Sequence, residues 1–209
     1  MAVMPKKFLI PIATLAVVGL AATSLYVLGL PPFKKRGEIK ASSVCEALGN
    51  SEKASAALKA TLPSEPEYSF RGRVASYYVT QGSSQFKANC SVYGEDKILL
   101  SARTEIVPTQ PADSWADYAL GDDAGDHESF TAGSAALITT NNKVAIQVPC
   151  AKPGSIPGGE YSVKVRGDLE TDAASDDAKV REGLKDLAVE AARFAHDKTQ
   201  CNLPSKLPE

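Results

Sequence analysis

Hydrophobic and polar residues are distributed in two different ways along this chain. Residues 8–30, FLIPIATLAVVGLAATSLYVLGL, form a run of 23 residues without a charge. A helix of this length would measure about 34 Å at about 1.5 Å per residue, which is enough to cross the hydrocarbon core of a bilayer. The rest of the sequence has short apolar runs separated by turn residues, as in a folded polar domain. The pattern therefore predicts one transmembrane anchor followed by a separate domain.

Helical periodicity is clearest near the two ends of that domain. Ser43 and Glu46 match a capping box, and Ser51 begins a helix that Pro63 ends. A long helix is predicted over residues 176–198, with Ser175 as its cap and an apolar face that packs on the domain. In the middle of the chain, the segment SWADYAL predicts a short helix with Gly121 as its C-cap. The apolar positions of the two long helices are Ala54, Ala57, Leu58, Thr61, Val180, Leu184, Leu187, Ala191, Phe194 and Ala195.

Alternation with a period of two predicts the strands between these helices. In residues 85–93 it places Phe86, Ala88, Cys90 and Val92 on one buried face. Short turns join the first three strands, Asn141-Asn142 predicts a hairpin, and residues 151–159 have the composition of a loop. The result is an α+β fold, a mostly antiparallel sheet of about six strands covered by N- and C-terminal helices. The predicted strands are 68–80, 85–93, 97–107, 132–140, 143–150 and 161–166.

All four cysteines follow the apolar segment, at positions 45, 90, 150 and 201. Their spacing does not suit a zinc site, and an even number of distant cysteines is typical of disulfides in an oxidising compartment. Four cysteines allow three connectivities. We favour Cys45–Cys90 with Cys150–Cys201, because these pairs close loops of similar size and fasten each terminal helix to its own strands.

The charges by themselves leave the direction of the anchor open, since basic residues flank it on both sides. The cysteines favour an outside C-terminal domain, which gives a cytoplasmic tail (1–7), an anchor (8–30), a juxtamembrane linker (31–42), an extracytoplasmic domain (43–203) and a flexible tail (204–209). Cleavage after Ala21 is the alternative, because Gly19 and Ala21 are small. Five of the 23 basic residues lie in the first 36 positions, so the domain has 18 basic and 25 acidic residues and a net charge of −7. This balance argues against nucleic acid as a partner.

Residues with catalytic or metal-binding chemistry are few. His127 lies in the acidic segment DDAGDHE and His196 on the terminal helix, and a serine hydrolase site that uses either is the enzymatic alternative. No nucleophile elbow, dinucleotide fingerprint or phosphate loop is present, so no cofactor is predicted. The acidic segment is only a weak calcium candidate, because its spacing differs from that of an EF-hand. Its carboxylates are Asp122, Asp123, Asp126 and Glu128.

Trp115 and Tyr118 lie three residues apart on the predicted short helix. Aromatic residues at this spacing share one helix face, and tryptophan is frequent at interface centres. The pair is therefore a candidate interaction patch. Packing of the short helix on the sheet is the structural alternative.

Several segments together carry a resemblance: SVCEAL at a helix start, NCSVY in a strand, VPC closing a hairpin, and AARFA before the last cysteine. In these positions the chain resembles uncharacterised membrane-anchored extracytoplasmic proteins of actinobacteria, of the streptomycete type. The resemblance implies a place in the cell envelope and brings no catalytic residues with it. We expect a tethered binding or interaction module of unknown ligand and oligomeric state. A hydrolase and a structural or assembly subunit of an envelope complex are the alternatives.

Overall fold

The computed structural model describes residues 36–76, 85–140, 142–156, 159–170 and 177–209. The chain divides into two compact units, Met1–Gly37 with Ser64–Pro66, and Glu38–Pro63 with Glu67–Glu209. The second unit contains all the elements described below. The predicted anchor lies outside the described residues. Within the described ranges, no helix has both the length and the hydropathy that a membrane span requires.

The described residues of the domain form three α-helices and one sheet. The helices are α1 (Ser51–Thr61), α2 (Trp115–Leu120) and α3 (Ala178–Lys198), with 3₁₀ turns at Ala41–Ser43, Glu46–Leu48 and Gly121–Ala124. The strands are β1 (Tyr68–Ser76), β2 (Phe86–Gly94), β3 (Lys97–Pro108), β4 (His127–Ser129), β5 (Ala135–Thr139), β6 (Lys143–Ile156) and β7 (Gly159–Leu169). Their order in the sheet is β1-β2-β3-β7-β6-β5-β4, and every neighbouring pair is antiparallel. The predicted α+β class and antiparallel sheet are thus confirmed, with seven described strands where about six were expected.

The differences in the strands have local causes. The added strand, β4, lies in the predicted acidic loop, and its three residues are all exposed, so no alternation could reveal it. The loop expected at 151–159 is largely strand, because β6 and β7 continue past a register irregularity between Pro149 and Ala151 and pair again at Ile156 and Gly159. Residues 77–84 of the first predicted hairpin lie outside the described part of the chain.

The starts of the helices also differ in detail from the prediction. The capping box at Ser43 is absent, because Val44 is extended (φ −70°, ψ 140°) and separates two 3₁₀ turns that have no side-chain caps. The cap of α1 is Asn50, whose side-chain oxygen accepts hydrogen bonds from the backbone N–H groups of Glu52 and Lys53. Asp177 caps α3 in the same way, and the predicted cap Ser175 lies outside the described residues. Gly121 ends α2 with φ 57°, as predicted.

One face of the sheet, here called the inner face, carries the core. Alternate residues of β2 are buried on it, and α1 and α3 pack against it with their predicted apolar faces, except that Phe194 is only half-buried. Gly183 allows α3 to lie close to α1, since a Cβ at this position would collide with Thr61. The opposite side of the sheet is called the outer face.

Two disulfides fasten the chain at the edges of this core. They join Cys45 to Cys90 and Cys150 to Cys201, with Cα separations of 5.9 Å and 4.4 Å, and so confirm the favoured connectivity. The folded part begins before the expected boundary at residue 43, because Ile39 is buried. The last six residues have no regular secondary structure, yet they lie against the domain: the Gly133 N–H donates to the Lys206 carbonyl oxygen at 3.0 Å.

Candidate functional site

The outer face is mostly polar and is covered only in part. The pairing register places Asn89, Arg103, Arg166 and Ala145 side by side on β2, β3, β7 and β6. Residues two positions away along each strand share this face, because side chains alternate across a strand. Leu137 and Ala145 on the β5–β6 side form an apolar surface beneath α2, whereas the β1–β3 side carries charged side chains.

Helix α2 is fixed to the outer face by Trp115. This side chain is 2% exposed and belongs to a small cluster with Leu120, Leu137 and Ala145. Its indole Nε1–H has no hydrogen-bond acceptor among the described residues. Tyr118, with its ring centroid 6.1 Å from that of Trp115, is 40% exposed. The predicted patch therefore has only Tyr118 at the surface, and Trp115 takes the packing role given as the alternative.

Arg166 connects α2 to the sheet. Its Nε donates to Asp168 Oδ2 at 2.9 Å, and its Nη2 donates to Oδ1 of the same carboxylate at 2.9 Å. Its Nη1 donates to the Ala119 carbonyl oxygen at 3.3 Å. Lys143 adds a second cation 3.6 Å from Asp168. The guanidinium thus holds the C-terminal end of α2 while the carboxylate fixes the guanidinium in place.

A groove of about 550 Å³ runs along the exposed side of α2. Tyr118 forms part of one wall, and Lys164 lies across it, with Nζ 4.8 Å from the Tyr118 ring centroid and 2.8 Å from Glu105 Oε1. Opposite charges are paired here, so the groove offers hydrogen-bonding groups and an aromatic edge with little net charge. Its side-chain lining includes Ser101, Arg103, Glu105, Tyr118, Lys143, Lys164, Arg166, Asp168 and Glu170.

Next to the groove, the outer face of β1–β3 carries a set of basic residues, here called the basic strip: Arg71, Arg73, Lys87 and Arg103. Each is exposed, and within the described ranges none forms an ion pair. Arg71 lies over the Tyr93 ring, with Cζ 4.9 Å from its centroid. These residues were not predicted from the sequence. Polar residues occupy every second position of β1 and β2, but this alternation was used only to predict which residues are buried.

The acidic segment does not assemble into a metal centre in the part of the chain that the structure describes. Glu128 lies on β4 and pairs with Arg181 at 3.0 Å and Lys185 at 3.3 Å. Hydrogen bonds from Arg181 and then Lys185 lower the pKa of its carboxyl group. Asp122 and Asp126 lie in the preceding turn, and the side chain of Asp123 is not among those described.

The two histidines lie apart from the groove and bond to main-chain carbonyl groups. Nδ1 of His127 is 2.9 Å from the Ala124 carbonyl oxygen, and Nε2 of His196 is 2.9 Å from that of Leu203. Neither ring is hydrogen-bonded to a serine or a carboxylate among the described residues. The arrangement needed for a serine hydrolase is therefore not assembled around either of them.

The four predicted disulfide cysteines lie at the inner face and its edge, and they act as structural supports. The groove and the basic strip, by contrast, both lie on the outer face. Comparison of the chain with protein families, with characterised proteins and with solved structures gives no match. The resemblance to actinobacterial envelope proteins stays a prediction.

Proposed function

We propose that the protein is an extracytoplasmic binding module of the cell envelope, tethered by residues 8–30, which uses the outer face of its sheet to bind a ligand. The observation that carries the proposal is the contrast between the faces of one sheet. The inner face lies under α1 and α3, while the outer face presents a groove walled by a short, well-anchored helix.

The compartment is supported by the two disulfides, which are typical of oxidising environments. The chain-entropy model gives each loop, of sequence separations 45 and 51, about 4 kcal/mol of stabilisation. Such a domain suits the outer side of a membrane. The same orientation would leave residues 1–7 in the cytoplasm.

Preorganisation supports binding as the role of the groove. Arg166, Asp168, Lys164 and Glu105 are held by ion pairs and by the strands that carry them, so a ligand would meet side chains already in position. Binding then costs less conformational entropy. The hydrogen bonds of both histidines to main-chain carbonyl groups favour this module over the hydrolase alternative.

Photo-cross-linking of the full-length protein in its native membrane tests the proposal. A benzoylphenylalanine in place of Tyr118 keeps an aromatic ring at the groove wall and extends it with the reactive benzophenone carbonyl. Tyr118 is 40% exposed, so the substitution is not expected to disturb the core. We expect a discrete cross-linked envelope component from this position.

The matched control carries the same probe in place of Glu52, an exposed residue at the start of α1. It lies on a helix that covers the inner face and is expected to give no discrete product. Equal products from both positions, or none from Tyr118, would contradict binding at the outer face. A reporter fused to the C-terminus that is active only in the cytoplasm would contradict the orientation.

A further inference from the structure

The basic strip reverses the sign of charge in an acidic domain. The residues after position 36 have a net charge of −7, yet the outer faces of β1 and β2 carry Arg71, Arg73 and Lys87 and no acidic residue. The acid nearest in the register, Glu105 opposite Lys87, is already paired with Lys164 at 2.8 Å. The strip therefore has positive charge that the described part of the domain does not neutralise.

Without a bound ligand, the placement of these charges destabilises the folded domain through repulsion. Arg103 stands directly opposite Arg166 in the register of β3 and β7, and like charges in such pairs are destabilising. Arg166 is compensated by Asp168, with Nη2 2.9 Å from Oδ1, but Arg103 is exposed and forms no ion pair in the described part of the chain. An external anion would remove this repulsion.

Neutral hydrogen-bonding groups lie between the basic residues. Asn89 stands between Arg73 and Arg103 in the register, and Ser91 stands between Arg71 and Ser101. The Asn89 Oδ1 accepts from the backbone N–H of Arg73 at 3.0 Å, which leaves the side-chain NH₂ group as a donor. In the row of Arg73, Asn89 and Arg103, one neutral donor thus separates two guanidinium groups.

The surface above the strip is an open trough. A depression of about 470 Å³ lies over Arg73, Lys87, Asn89 and Arg103. It adjoins the groove beside α2, because Arg103 and Glu105 line both. From β1 to β6 the two depressions cross four strand spacings, or about 19 Å at about 4.8 Å each. This length suits an extended chain better than a single small anion.

The backbone limits how a chain can bind over the strip. The main-chain N–H and C=O groups of β2 and β3 pair with strands on both sides, so a peptide could add as a further strand only beside the edge strand β1, and a chain that lies over β2 and β3 must be bound by side chains. Guanidinium groups at intervals suit phosphodiester oxygens, which they can bind in a bidentate manner. A flat bilayer surface fits poorly, because α2 stands above the sheet at one end of the trough.

We propose that the basic strip binds a linear polyol phosphate, a polymer in which phosphodiester anions alternate with hydroxyl-bearing units. This inference rests on the proposed function and names the ligand class of the same face. Arg73 and Arg103, two strands and about 10 Å apart, contact successive anionic groups. Asn89 donates to the unit between them.

Titration of full-length protein in phosphatidylcholine nanodiscs with poly(glycerol phosphate) tests the proposal by thermophoresis at two salt concentrations. We expect the double variant R73Q/R103Q to bind at least tenfold more weakly. The slope of the logarithm of the binding constant against the logarithm of the salt concentration should be smaller in magnitude by roughly 1 to 2. The control K59Q/K179Q removes the same charge from exposed positions on α1 and α3 and should bind within twofold of the unchanged protein. If the double variant does not fold, the single variant K87Q is tested in its place. We expect K87Q to weaken binding about threefold.

Several outcomes would overturn the inference. One is an equal loss of affinity for the polymer in the control variant, and another is the absence of polymer binding by the unchanged protein. A third is equal affinity for poly-L-glutamate, which would make the surface selective for charge alone. Strip-dependent binding to phosphatidylglycerol vesicles without polymer binding would assign the strip to the bilayer. If the Tyr118 probe still cross-links while the polymer does not bind, the ligand class fails and the proposed function stands.

Discussion

Cys90 and Asn89 are neighbours on β2 and lie in opposite environments. Cys90 is fully buried on the inner face, where its disulfide and the helices cover it. Asn89 lies in solvent between Arg73 and Arg103. The same strand therefore serves stability through one set of residues and surface chemistry through the alternate set. Mutations on the inner face should therefore lower the stability of the domain, whereas mutations on the outer face should weaken ligand binding.

The largest expected loss of stability comes from removing the disulfide of the inner face. Replacing Cys45 and Cys90 together by alanine should lower the free energy of unfolding by about 4 kcal/mol, because the unfolded chain regains the entropy of a 45-residue loop. Urea denaturation of the detergent-solubilised protein measures this. A loss below about 1 kcal/mol would mean that the bond does little to hold the first 3₁₀ turns on the sheet.

A core truncation should come next in size. Ile146 is fully buried on the inner face of β6, and Ile146→Ala should cost about 3 kcal/mol from lost burial and the cavity left behind. The matched outer-face variant Arg103→Ala should change stability by less than about 0.5 kcal/mol. Thermal unfolding of both variants makes the comparison directly. Equal destabilisation would remove the distinction between the faces.

Arg166 tests whether the outer face has a structural component of its own. Arg166→Ala removes the bidentate bond to Asp168 and the bond to the Ala119 carbonyl oxygen, and leaves a mostly buried carboxylate beside Lys143. We expect a loss of about 2 kcal/mol, since hydrogen bonds to charged groups are the stronger ones.

Arg166→Lys is the control, because it keeps the charge without the fork and should lose less. Hydrogen exchange of the α2 amides should increase in the alanine variant, while β2 stays protected. No change in α2 would show that Trp115 alone holds this helix.

The inner face was readable from sequence because burial imposes a repeated pattern. Phe86, Ala88, Cys90 and Val92 alternate over a whole strand, and the helical stripes are equally regular. The outer face has no such constraint, since its groove joins residues that are distant in sequence, such as Glu105 and Lys164. Only the strand order brings them together, and the periodicity of one sequence does not supply that order.

Trp115 is a second example of a feature that depends on the tertiary structure. Its spacing from Tyr118 was predicted correctly as one helix face, but the choice between packing and exposure depended on what lies beneath α2. Leu137 and Ala145 supply that surface from β5 and β6. Strand β4 was missed because its pairing with β5 leaves all three residues exposed.

The smallest expected effect lies on α3, at Asp186, which lines a separate depression of about 640 Å³ between α1 and α3. Desolvation, and then the nearby charges of Glu182 and Glu190, raise the pKa of Asp186 above its usual range. A raised carboxyl pKa means that the folded state holds the proton more tightly than the unfolded state. Stability from this group is therefore fully present below the unfolded pKa of about 3.9 and is lost as pH rises through the folded pKa.

Asp186→Asn should therefore raise the free energy of unfolding at pH 7, by no more than a few tenths of a kcal/mol, since the side chain is largely exposed and water screens its charge. The gain should vanish near pH 3, where Asp186 is protonated in both states. Glu182→Gln is a comparison variant, because it removes a charge that raises the pKa of Asp186 but also removes the ion pair between Glu182 and Lys185 at 2.8 Å, so its gain should be smaller or absent. Urea denaturation at both pH values measures the difference. A gain that persists at pH 3 would show that the asparagine acts through packing or helix propensity, and the cost attributed to the carboxylate would then be wrong.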